Sequence, residues 1–562
     1  MITSPEPPTE ANDARDTKES SATVDRRGFV RIAVTAAAVG GGIGGGGLAV
    51  TGAAAAQGRG APPQQRSREW PPLGNGEPPA MQFQAYPGGT GAYMEKLIRE
   101  RGIAAFERVP IEPAPWTGPA PVSETEIAFL PAHRLSALIR ARGISSVELT
   151  RIYLDRLKRL DPTLLCAVTI MEGQALEAAQ QADAEIRAGD YRGPLHGLPW
   201  GVKDLFSTRG VRTTWGSSDF ENRIIDEDAE VVVRLREAGA VLIAKLATGL
   251  FAQGDRWYRG QTKNPWNLEQ GSSGSSAGPG SATAAGCVAF SIGTETQGSI
   301  VSPARRCSVS ALRPTFGRVS RYGGMVLAWS MDKVGPLCRT IEDCALVFNA
   351  IHGASEKDPA TLTAPFRFDR DPDLSTLRIG YDERAPEAFV AKLRELGADP
   401  VPVGDRPDSR GVSQLNAQDA AAFEMWVDAL PPLPPDSAEA MAAGRGGRGG
   451  GGAGSRGRFT RGREVSAVEF LQAERRRLIL MHEMADFMKD LDMYVSGSGD
   501  VGLTNQTGNP AAVVPCGMTE SDSPQPETTT IIGDLFADDL ILSVAHKYQV
   551  ATDWHTRHPA LG

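Results

Sequence analysis

The chain has little of what a metal centre or a nucleic-acid interface needs. Its six cysteines show no Cys-x-x-Cys spacing and have no histidine pair nearby. This pattern argues against a zinc site. The formal net charge of −9 gives no reason to expect binding to nucleic acid or to an anionic membrane. No internal repeat with a fixed period is visible either, so a repeat architecture is not expected.

Histidine is also scarce where a familiar serine hydrolase would need it. None of the seven histidines lies in a motif typical of a catalytic triad, and the chain contains no G-x-S-x-G elbow. His196 precedes a Pro-containing turn, while His546, His555 and His558 fall in a C-terminal helix and tail. We interpret these four as surface or packing residues. A nucleophilic serine in this chain would therefore need another side chain as its base.

What the chain has is an ordinary globular composition. Hydrophobic residues make up 41% and charged residues 23%, which suits a soluble protein with a buried core. At 562 residues the chain could hold several domains, although large α/β folds often form one unit. Much of the excess of glycine and proline is concentrated in two segments, which we expect to lie outside the regular fold.

Residues 1–56 carry a targeting signal. Arg26-Arg27-Gly28-Phe29 precedes a weakly apolar, Gly/Ala-rich run from Ile32 to about Ala56. This pattern is typical of a twin-arginine-type signal peptide, which exports folded proteins. The alternative is an uncleaved N-terminal anchor. Either way we expect the protein to be exported to a periplasmic or extracellular site, with no stable membrane insertion once the leader is cleaved. Because it would fold among reduced thiols, we expect buried free cysteines.

Two further segments differ from the rest in composition. Residues 57–125 are rich in Pro, Gly and Arg and predict a linker and an N-terminal arm, with one short helix near Tyr93–Arg101. Ala443–Arg463 is a Gly/Arg-rich insertion, which we interpret as a mobile surface segment. The alternative is that it binds a polyanion. If it is a surface segment, its deletion leaves folding and catalysis nearly intact.

The remaining chain alternates between helical and strand patterns. Apolar residues at helical spacing predict helices over Ala132–Arg142, Ser146–Arg159 and Glu172–Ala188. In the second of these, Ser146 is suited to cap the first turn and Glu148 to place a negative charge in it. This alternation predicts an α/β body with a mainly parallel or mixed sheet. The strand candidates are Val241–Ala244, Val288–Ile292, Leu377–Gly380, Met493–Val495, Ala512–Pro515 and Thr529–Ile532.

Two glycine- and serine-rich loops have the composition of an acyl-transfer site. The first, Gly271–Gly278, precedes a predicted helix over Gly280–Gly286, and the second, Gly293–Ile300, follows a predicted strand. Small residues let backbone N–H groups converge on one oxygen, as a tetrahedral intermediate requires. Either loop by itself would more often be an ordinary Gly/Ser loop.

A buried lysine could supply the base that these serines need. Lys203 follows the apolar run Leu198–Val202, and burial lowers the pKa of an ammonium group until the neutral amine can accept a proton. Taken alone, such a lysine is usually a surface residue. Its combination with two serine-rich loops predicts a serine nucleophile activated by lysine.

Together these motifs give residues 126–562 a resemblance to the amidase signature family. The most specific portion is Gly197–Arg339, with weaker agreement at Gly508-Asn509-Pro510-Ala511 and Ala551–His555. The resemblance implies an α/β fold in which a large mixed β-sheet is sandwiched between layers of α-helices. It also implies a catalytic mechanism without a metal or an organic cofactor.

The resemblance also assigns roles to individual residues. The family's bridging serine lies 24 positions before its nucleophile, which selects Ser275 over Ser272 when Ser299 is the nucleophile. The catalytic residues are then Lys203, Ser275 and Ser299, with an oxyanion hole formed by the N–H groups of Thr296, Gln297, Gly298 and Ser299, and with Ser276 and Glu295 in supporting positions.

Some positions depart from the family pattern. Gln297-Gly298 stands where Gly-Gly is usual, Val301 where arginine is common, and Glu295 where aspartate is frequent. The stretch Lys245–Leu250 also lacks the Asn and Glu common after that lysine. These changes leave the catalytic trio intact and indicate a divergent subgroup, so the family's substrates cannot simply be transferred.

The function expected from the sequence is hydrolysis of a carboxamide-type C–N bond. A small-molecule amide, ester or carbamate is the expected substrate, and segments 205–263 and 410–500 are expected to supply the pocket walls. The alternatives are a tRNA-dependent amidotransferase subunit, which the export signal argues against, an ester or carbamate hydrolase, and a catalytically silent binding protein.

The paired arginines provide a direct test of export. Replacing both Arg26 and Arg27 by lysine should trap precursor in the cytoplasm, because the twin-arginine pathway reads the arginine pair. Fractionation followed by immunoblotting measures the exported share. Undiminished export of the double variant would refute the assignment.

Overall fold

A computed structural model describes residues 85–413, 415–429, 459, 461–520 and 524–561. The predicted leader over residues 1–56 lies outside this part of the chain, as do residues 57–84 of the predicted linker and most of the Gly/Arg-rich segment. Within the described residues, no helix combines the length and apolar character needed to cross a membrane.

The helices begin and end close to the positions that the sequence pattern predicts. Ser145 starts α4 with a reciprocal capping box: Glu148 N–H donates to Ser145 Oγ (3.1 Å), and Ser145 N–H donates to Glu148 Oε2 (2.9 Å). The predicted cap, Ser146, instead donates its hydroxyl to the carbonyl oxygen of Gly197.

The helices are α1 Gly89–Arg101, α2 Glu124–Phe129, α3 Ala132–Arg140, α4 Ser146–Leu164, α5 Glu172–Ala188, α6 Glu230–Glu237, α7 Ala277–Ala284, α8 Val301–Cys307, α9 Ile341–Ile351, α10 Glu387–Glu395, α11 Leu415–Ala422, α12 Glu424–Ala429, α13 Ala467–Met488, α14 Val501–Thr507 and α15 Asp538–Val550.

The strands form a mixed sheet of eleven members in the order β1-β3-β2-β8-β10-β9-β14-β15-β13-β11-β12. β2 is parallel to both β3 and β8, whereas β10 is antiparallel to β8 and β9. Two two-stranded ribbons, β4-β5 and β6-β7, lie outside it. The strands are β1 Ala167–Ile170, β2 Pro199–Lys203, β3 Val241–Leu246, β4 Arg256–Trp257, β5 Gly260–Gln261, β6 Lys263–Asn264, β7 Asn267–Gly271, β8 Phe290–Glu295, β9 Ser310–Arg313, β10 Lys333–Cys338, β11 Ile379–Tyr381, β12 Val401–Pro402, β13 Met493–Ser496, β14 Ala511–Met518 and β15 Pro526–Gly533.

Both faces of this sheet are covered. Alternate residues of β14 enter different hydrophobic clusters: Ala512 and Val514 pack with α9 and α15, and Ala511 and Val513 pack with α8 and α13. Because successive side chains of a strand point to opposite faces, each cluster lies on its own side of the sheet. A mixed sheet between helical layers is therefore confirmed.

The short helix predicted near Tyr93–Arg101 is observed as α1, which begins four residues earlier and places Tyr93 and Leu97 in a cluster with Phe536. The prediction that residues up to Arg463 form a mobile surface insertion is wrong at Phe459. Phe459 is completely buried and its ring stacks on Phe423, with 4.3 Å between the ring centroids. Deleting the whole segment to Arg463 would therefore remove a core residue.

The six cysteines behave as predicted. All of them are free and buried, and burial raises the pKa of the Cys166, Cys287, Cys307, Cys338 and Cys516 thiols.

Phe459→Ala should destabilise the protein by about 3–5 kcal/mol, because a buried aromatic ring is replaced by a cavity. The matched control is Val468→Ala at a position 69% exposed, where we expect a change of about 0.5 kcal/mol or less. Urea denaturation measures both. Equal stability of the Phe459 variant and the wild type would show that the stacked aromatic cluster does not contribute to the core.

Candidate active site

Lys203 lies at the carboxyl end of β2, inside the sheet. Every residue of this strand is buried between β3 and β8, and the lysine itself is 0% exposed. The sequence pattern placed an apolar run before Lys203 without identifying it as a strand. The reason is its length of only five residues, with a proline at the start and a glycine in the middle.

The amine of Lys203 contacts hydroxyls from both serine-rich loops. Its Nζ lies 2.7 Å from Ser275 Oγ and 2.9 Å from Thr294 Oγ1. Burial lowers its pKa to about 7, and the carboxylates of Asp332 and Glu295 offset part of this effect. At neutral pH a large share of the lysine is therefore a neutral amine that can accept a proton.

A second buried lysine, on the strand beside β2, has a different environment. Lys245, on the adjacent strand β3, forms an ion pair with Asp204 (3.0 Å) and donates to Thr213 Oγ1 (2.8 Å). Lys203 forms no ion pair with any described residue. Of these two lysines, only Lys203 combines burial, a serine partner and the absence of a paired carboxylate.

The backbone just before Ser275 passes very close to another segment of the chain. The Gly274–Ser275 peptide bond is cis, and a Cβ atom on Gly274 would lie 1.8 Å from the carbonyl oxygen of Gly254. Only glycine fits there. The side chain of Ser275 is 1% exposed, so its hydroxyl is restricted to the space beside Lys203.

Ser276 joins the two loops. Its N–H donates to the carbonyl oxygen of Ser299 (3.1 Å). Its hydroxyl donates to the carbonyl oxygen of Thr294 (3.1 Å) and accepts from Thr294 N–H (3.2 Å). The loop carrying Ser275 and the loop carrying Ser299 are therefore fixed to each other directly. Ser276 also precedes α7, which starts three residues earlier than predicted.

The loop from Thr296 to Ser299 presents free donors. No described residue accepts a hydrogen bond from the N–H groups of Gln297, Gly298 and Ser299. Gly298 has φ 93°, a backbone conformation that glycine adopts readily and other residues disfavour. Ser299 is half-buried, and its hydroxyl makes no hydrogen bond within the described part of the chain. Such a loop can bind an oxyanion in front of a serine hydroxyl.

Glu295 fixes the position of this loop from behind. Its Oε2 accepts hydrogen bonds from the N–H groups of Ile300 (2.7 Å) and Val301 (2.8 Å). Its Oε1 accepts from Arg313 Nη1 (3.0 Å) and Asn505 Nδ2 (2.7 Å). Although burial acts to raise the pKa of this carboxyl, Arg313 and the other three donors lower it overall. The carboxylate thus anchors the two residues after Ser299 and leaves the preceding N–H groups open.

A second carboxyl, that of Asp332, supports the loop from the start of strand β10. Thr296 Oγ1 donates to Asp332 Oδ1 (2.6 Å), and Asp332 Oδ2 accepts from the N–H groups of Leu327 (2.8 Å) and Ala328 (3.1 Å). Sequence reasoning missed Asp332, because the contact spans 36 residues and no local motif marks it. It also missed Thr294, whose place in the Gly-Thr-Glu stretch beside the serine loop was the available signal.

A cavity of about 1310 Å³ lies beside this site. Thr294, which contacts the Lys203 amine, lines it together with Thr296 and Asp332, whereas Lys203, Ser275 and Ser299 are not part of its lining. The predicted segments 205–263 and 410–500 do line it, but residues 321–334 and 357–360 also contribute and were not expected. Most of the wall is apolar, including Phe206, Leu327 and Phe470. Within the described residues, no group of three or more His, Cys, Asp or Glu side chains could hold a metal ion.

Comparison with known proteins identifies relatives across most of the chain. The family described as Amidase matches residues 148–500. One subunit of the glutamyl-tRNA(Gln) amidotransferase of Dechloromonas aromatica is 32% identical over 480 residues, which cover 76% of this chain and 98% of that protein.

Solved structures agree with this assignment. The native peptide amidase from Stenotrophomonas maltophilia is 28% identical and has a TM-score of 0.66, over 79% of this chain and 99% of that one. An amidase family protein from Bacillus anthracis is 26% identical with a TM-score of 0.67, over 78% of this chain and 94% of that one.

Glu295→Gln should destabilise the protein by about 3 kcal/mol or more, because it leaves buried Arg313 without its counter-charge. The stabilising effect of the carboxylate is fully present above its ordinary pKa of 4.5. It is lost as the pH falls through the lower pKa of the folded state, so the two proteins should converge in stability in acid. Denaturation at several pH values measures this. Glu269→Gln, at an exposed position, is the control; an equally small effect at Glu295 would contradict the role of an anchor.

Proposed function

The chain belongs to the amidase family, and from this premise we propose that it hydrolyses a carboxamide C–N bond with Ser299 as nucleophile, Ser275 as proton relay and Lys203 as base. The observation that carries the proposal is that the buried Lys203 amine lies 2.7 Å from Ser275 Oγ. The loop that carries Ser275 is in turn joined to Ser299 by the hydrogen bond from Ser276 N–H.

The first half of the reaction transfers the acyl group to the enzyme. The neutral amine of Lys203 accepts the proton of Ser275 Oγ, which takes the proton of Ser299 Oγ as that oxygen bonds to the carbonyl carbon. The tetrahedral intermediate collapses with cleavage of the C–N bond. The leaving nitrogen receives the proton back through Ser275, and Lys203 is neutral again.

The second half restores the enzyme. Water gives up a proton to the same relay and attacks the ester carbonyl of the acyl-enzyme. When that intermediate collapses, Ser299 Oγ recovers a proton and the carboxylic acid is released. The backbone N–H groups of Thr296, Gln297, Gly298 and Ser299 are the donors proposed for the oxyanion in both halves.

One movement is needed before attack. The Ser299 hydroxyl has no partner among the described residues, so it must rotate toward Ser275 to enter the relay. A half-buried serine side chain can change rotamer within its loop while the backbone stays fixed. Hydrogen bonds of catalytic groups are often completed only when substrate binds.

The apolar cavity favours a small-molecule substrate with a largely apolar body. Esters and carbamates present a similar carbonyl and are proposed as side substrates. We also propose that the enzyme acts after export, on the basis of the arginine pair and apolar run in residues 1–56.

A role within an amidotransferase is the second candidate, since the similar relative from Dechloromonas aromatica is part of such an enzyme. A protein in that role would release ammonia from glutamine and act with partner proteins. A glutaminase assay on the isolated chain, run beside aryl amides, peptide amides and carbamates, separates the two functions. A catalytically silent binding protein would react with none of these substrates and would resist a fluorophosphonate.

The rate of hydrolysis should rise with pH toward a plateau, with an apparent pKa of about 7 in kcat/KM, because only neutral Lys203 can accept the proton. Lys203→Ala and Ser275→Ala should each lower kcat by about 10²–10⁴-fold. The double variant should lose little more than either single one, because the residues of one relay act as a unit. A pH profile that keeps its rising limb in Lys203→Ala would contradict the base.

Ser299→Ala should abolish acyl-enzyme formation. Mass spectrometry of the protein after reaction with a fluorophosphonate locates the adduct, which we expect on Ser299. Lys245→Ala serves as a comparison for general damage from loss of a buried lysine. An adduct on Ser272, Ser273 or Ser275, with Ser299→Ala still active, would show that the nucleophile is assigned wrongly.

A further inference from the structure

Helix α13 supplies part of the cavity wall. Its lining residues, Ala467, Phe470, Leu471 and Glu474, follow the three- and four-residue spacing of one helix face. Three of the four are apolar. Glu474 therefore places a single carboxyl group among the apolar lining residues of this helix, in a cavity that Thr294 and Thr296 also line.

The Glu474 carboxyl is buried without a matching donor. The residue is 9% exposed, and no described residue donates a hydrogen bond to its Oε1. A carboxyl removed from water is costly unless donors compensate for the lost hydration. Nearly all buried polar groups in proteins have such a partner. Oε1 itself is closed to solvent, so a donor that arrives with a ligand in the cavity would meet this acceptor after a rotation of the Glu474 side chain.

Other carboxyls on the same wall are already satisfied. Asp332 accepts three hydrogen bonds, from Thr296 and from two backbone N–H groups. Asp358 accepts from Arg321 through both oxygens. Glu424 lines the cavity too but is exposed to solvent. Glu474 differs from all three in being both buried and unmatched.

The nearby positive groups do not supply the missing donor. Arg477 directs Nε to the carbonyl oxygen of Gln506 (2.7 Å) and Nη2 to that of Ser330 (2.9 Å). Lys333, which also lines the cavity, donates to the carbonyl oxygen of Met331. Burial holds the pKa of Lys333 well below its usual range. Burial also raises the pKa of Glu474, an effect that Arg477 partly offsets.

We propose that Glu474 is a specificity-determining residue that accepts hydrogen bonds from a protonated amine on the substrate, so that the preferred substrates are amides with an apolar body and a basic group remote from the scissile bond. This inference rests on the proposed function, since it assigns the wall of that cavity to substrate. The incoming ammonium replaces the hydration that the carboxyl lost on burial and keeps it ionised.

The test compares n-alkylammonium ions with n-alkanols of the same chain length, from about four to ten carbons, as protectants of Ser299 against a fluorophosphonate. At the best length we expect the ammonium ion to protect at a concentration about 10- to 100-fold lower than the alkanol, as for a charge-assisted hydrogen bond. Glu474→Gln should reduce that ratio to near one, with protection in each protein measured relative to its own labelling rate without protectant.

Two further variants sharpen the comparison. Glu474→Asp keeps the charge but shortens the side chain, so the ratio should remain and the optimum should move to a longer alkyl chain. Glu424→Gln removes an exposed carboxyl from the same cavity and should leave the ratio as in the wild type. Melting temperatures of all three variants show whether each is folded.

The outcomes separate this inference from the proposed function. Labelling of Ser299 with equal protection by ammonium ions and alkanols in the wild type would overturn the amine subsite and leave the nucleophile intact. A preference that survives in Glu474→Gln would overturn it as well. If no labelling occurs at all, the proposed nucleophile fails, and calorimetric binding of n-octylammonium to wild type and Glu474→Gln still decides whether the carboxyl binds amines. If Glu474→Gln does not fold, the wild-type ratio and the shifted optimum of Glu474→Asp decide.

Discussion

The burial of the Lys203 amine between Ser275 and Thr294 constrains the two serine-rich loops that pack around it. A lysine with no exposed surface, and with no paired carboxylate among the described residues, needs hydroxyl partners at short range. Both of its partners come from glycine-rich loops that can approach closely. The backbone at Gly274 leaves no room for a side chain. Ser276 then ties the first loop to the second, so the position of the Lys203 amine is linked to that of half-buried Ser299.

The loop that carries Ser299 has N–H donors that are unpaired within the described part of the chain, because carboxylates hold the residues on either side of them. Glu295 accepts the N–H groups of the two residues after Ser299, and Asp332 holds Thr296 at the other end. The N–H groups between these anchors keep no acceptor within the described residues. An oxyanion hole that is organised before substrate arrives needs little rearrangement during the reaction. The departure from the family pattern at Gln297 fits this arrangement, because a glutamine retains its backbone N–H.

How much could be predicted differs between the fold and the site. The helix over Glu172–Ala188 matched the observed bounds, since its amphipathic pattern is long and ends at a glycine with φ 97°. Strand β10, Lys333–Cys338, was missed, because a buried strand with an internal glycine and proline shows no alternation. The composition of the two serine loops pointed to their chemistry locally. The contacts of Glu295 with Arg313 and Asn505 span up to 210 residues, and only the folded chain reveals them.

The central claim is that Lys203 is a neutral amine at the pH where the enzyme works. The most direct measurement is a titration of the lysine side-chain nitrogens by NMR in protein labelled with ¹⁵N-lysine, with Lys203→Met used to assign the signal. The account predicts a resonance that titrates with a pKa of about 7 and is absent from the variant. A Lys203 resonance that stays in the ammonium form up to about pH 10, the ordinary range for lysine, would contradict it.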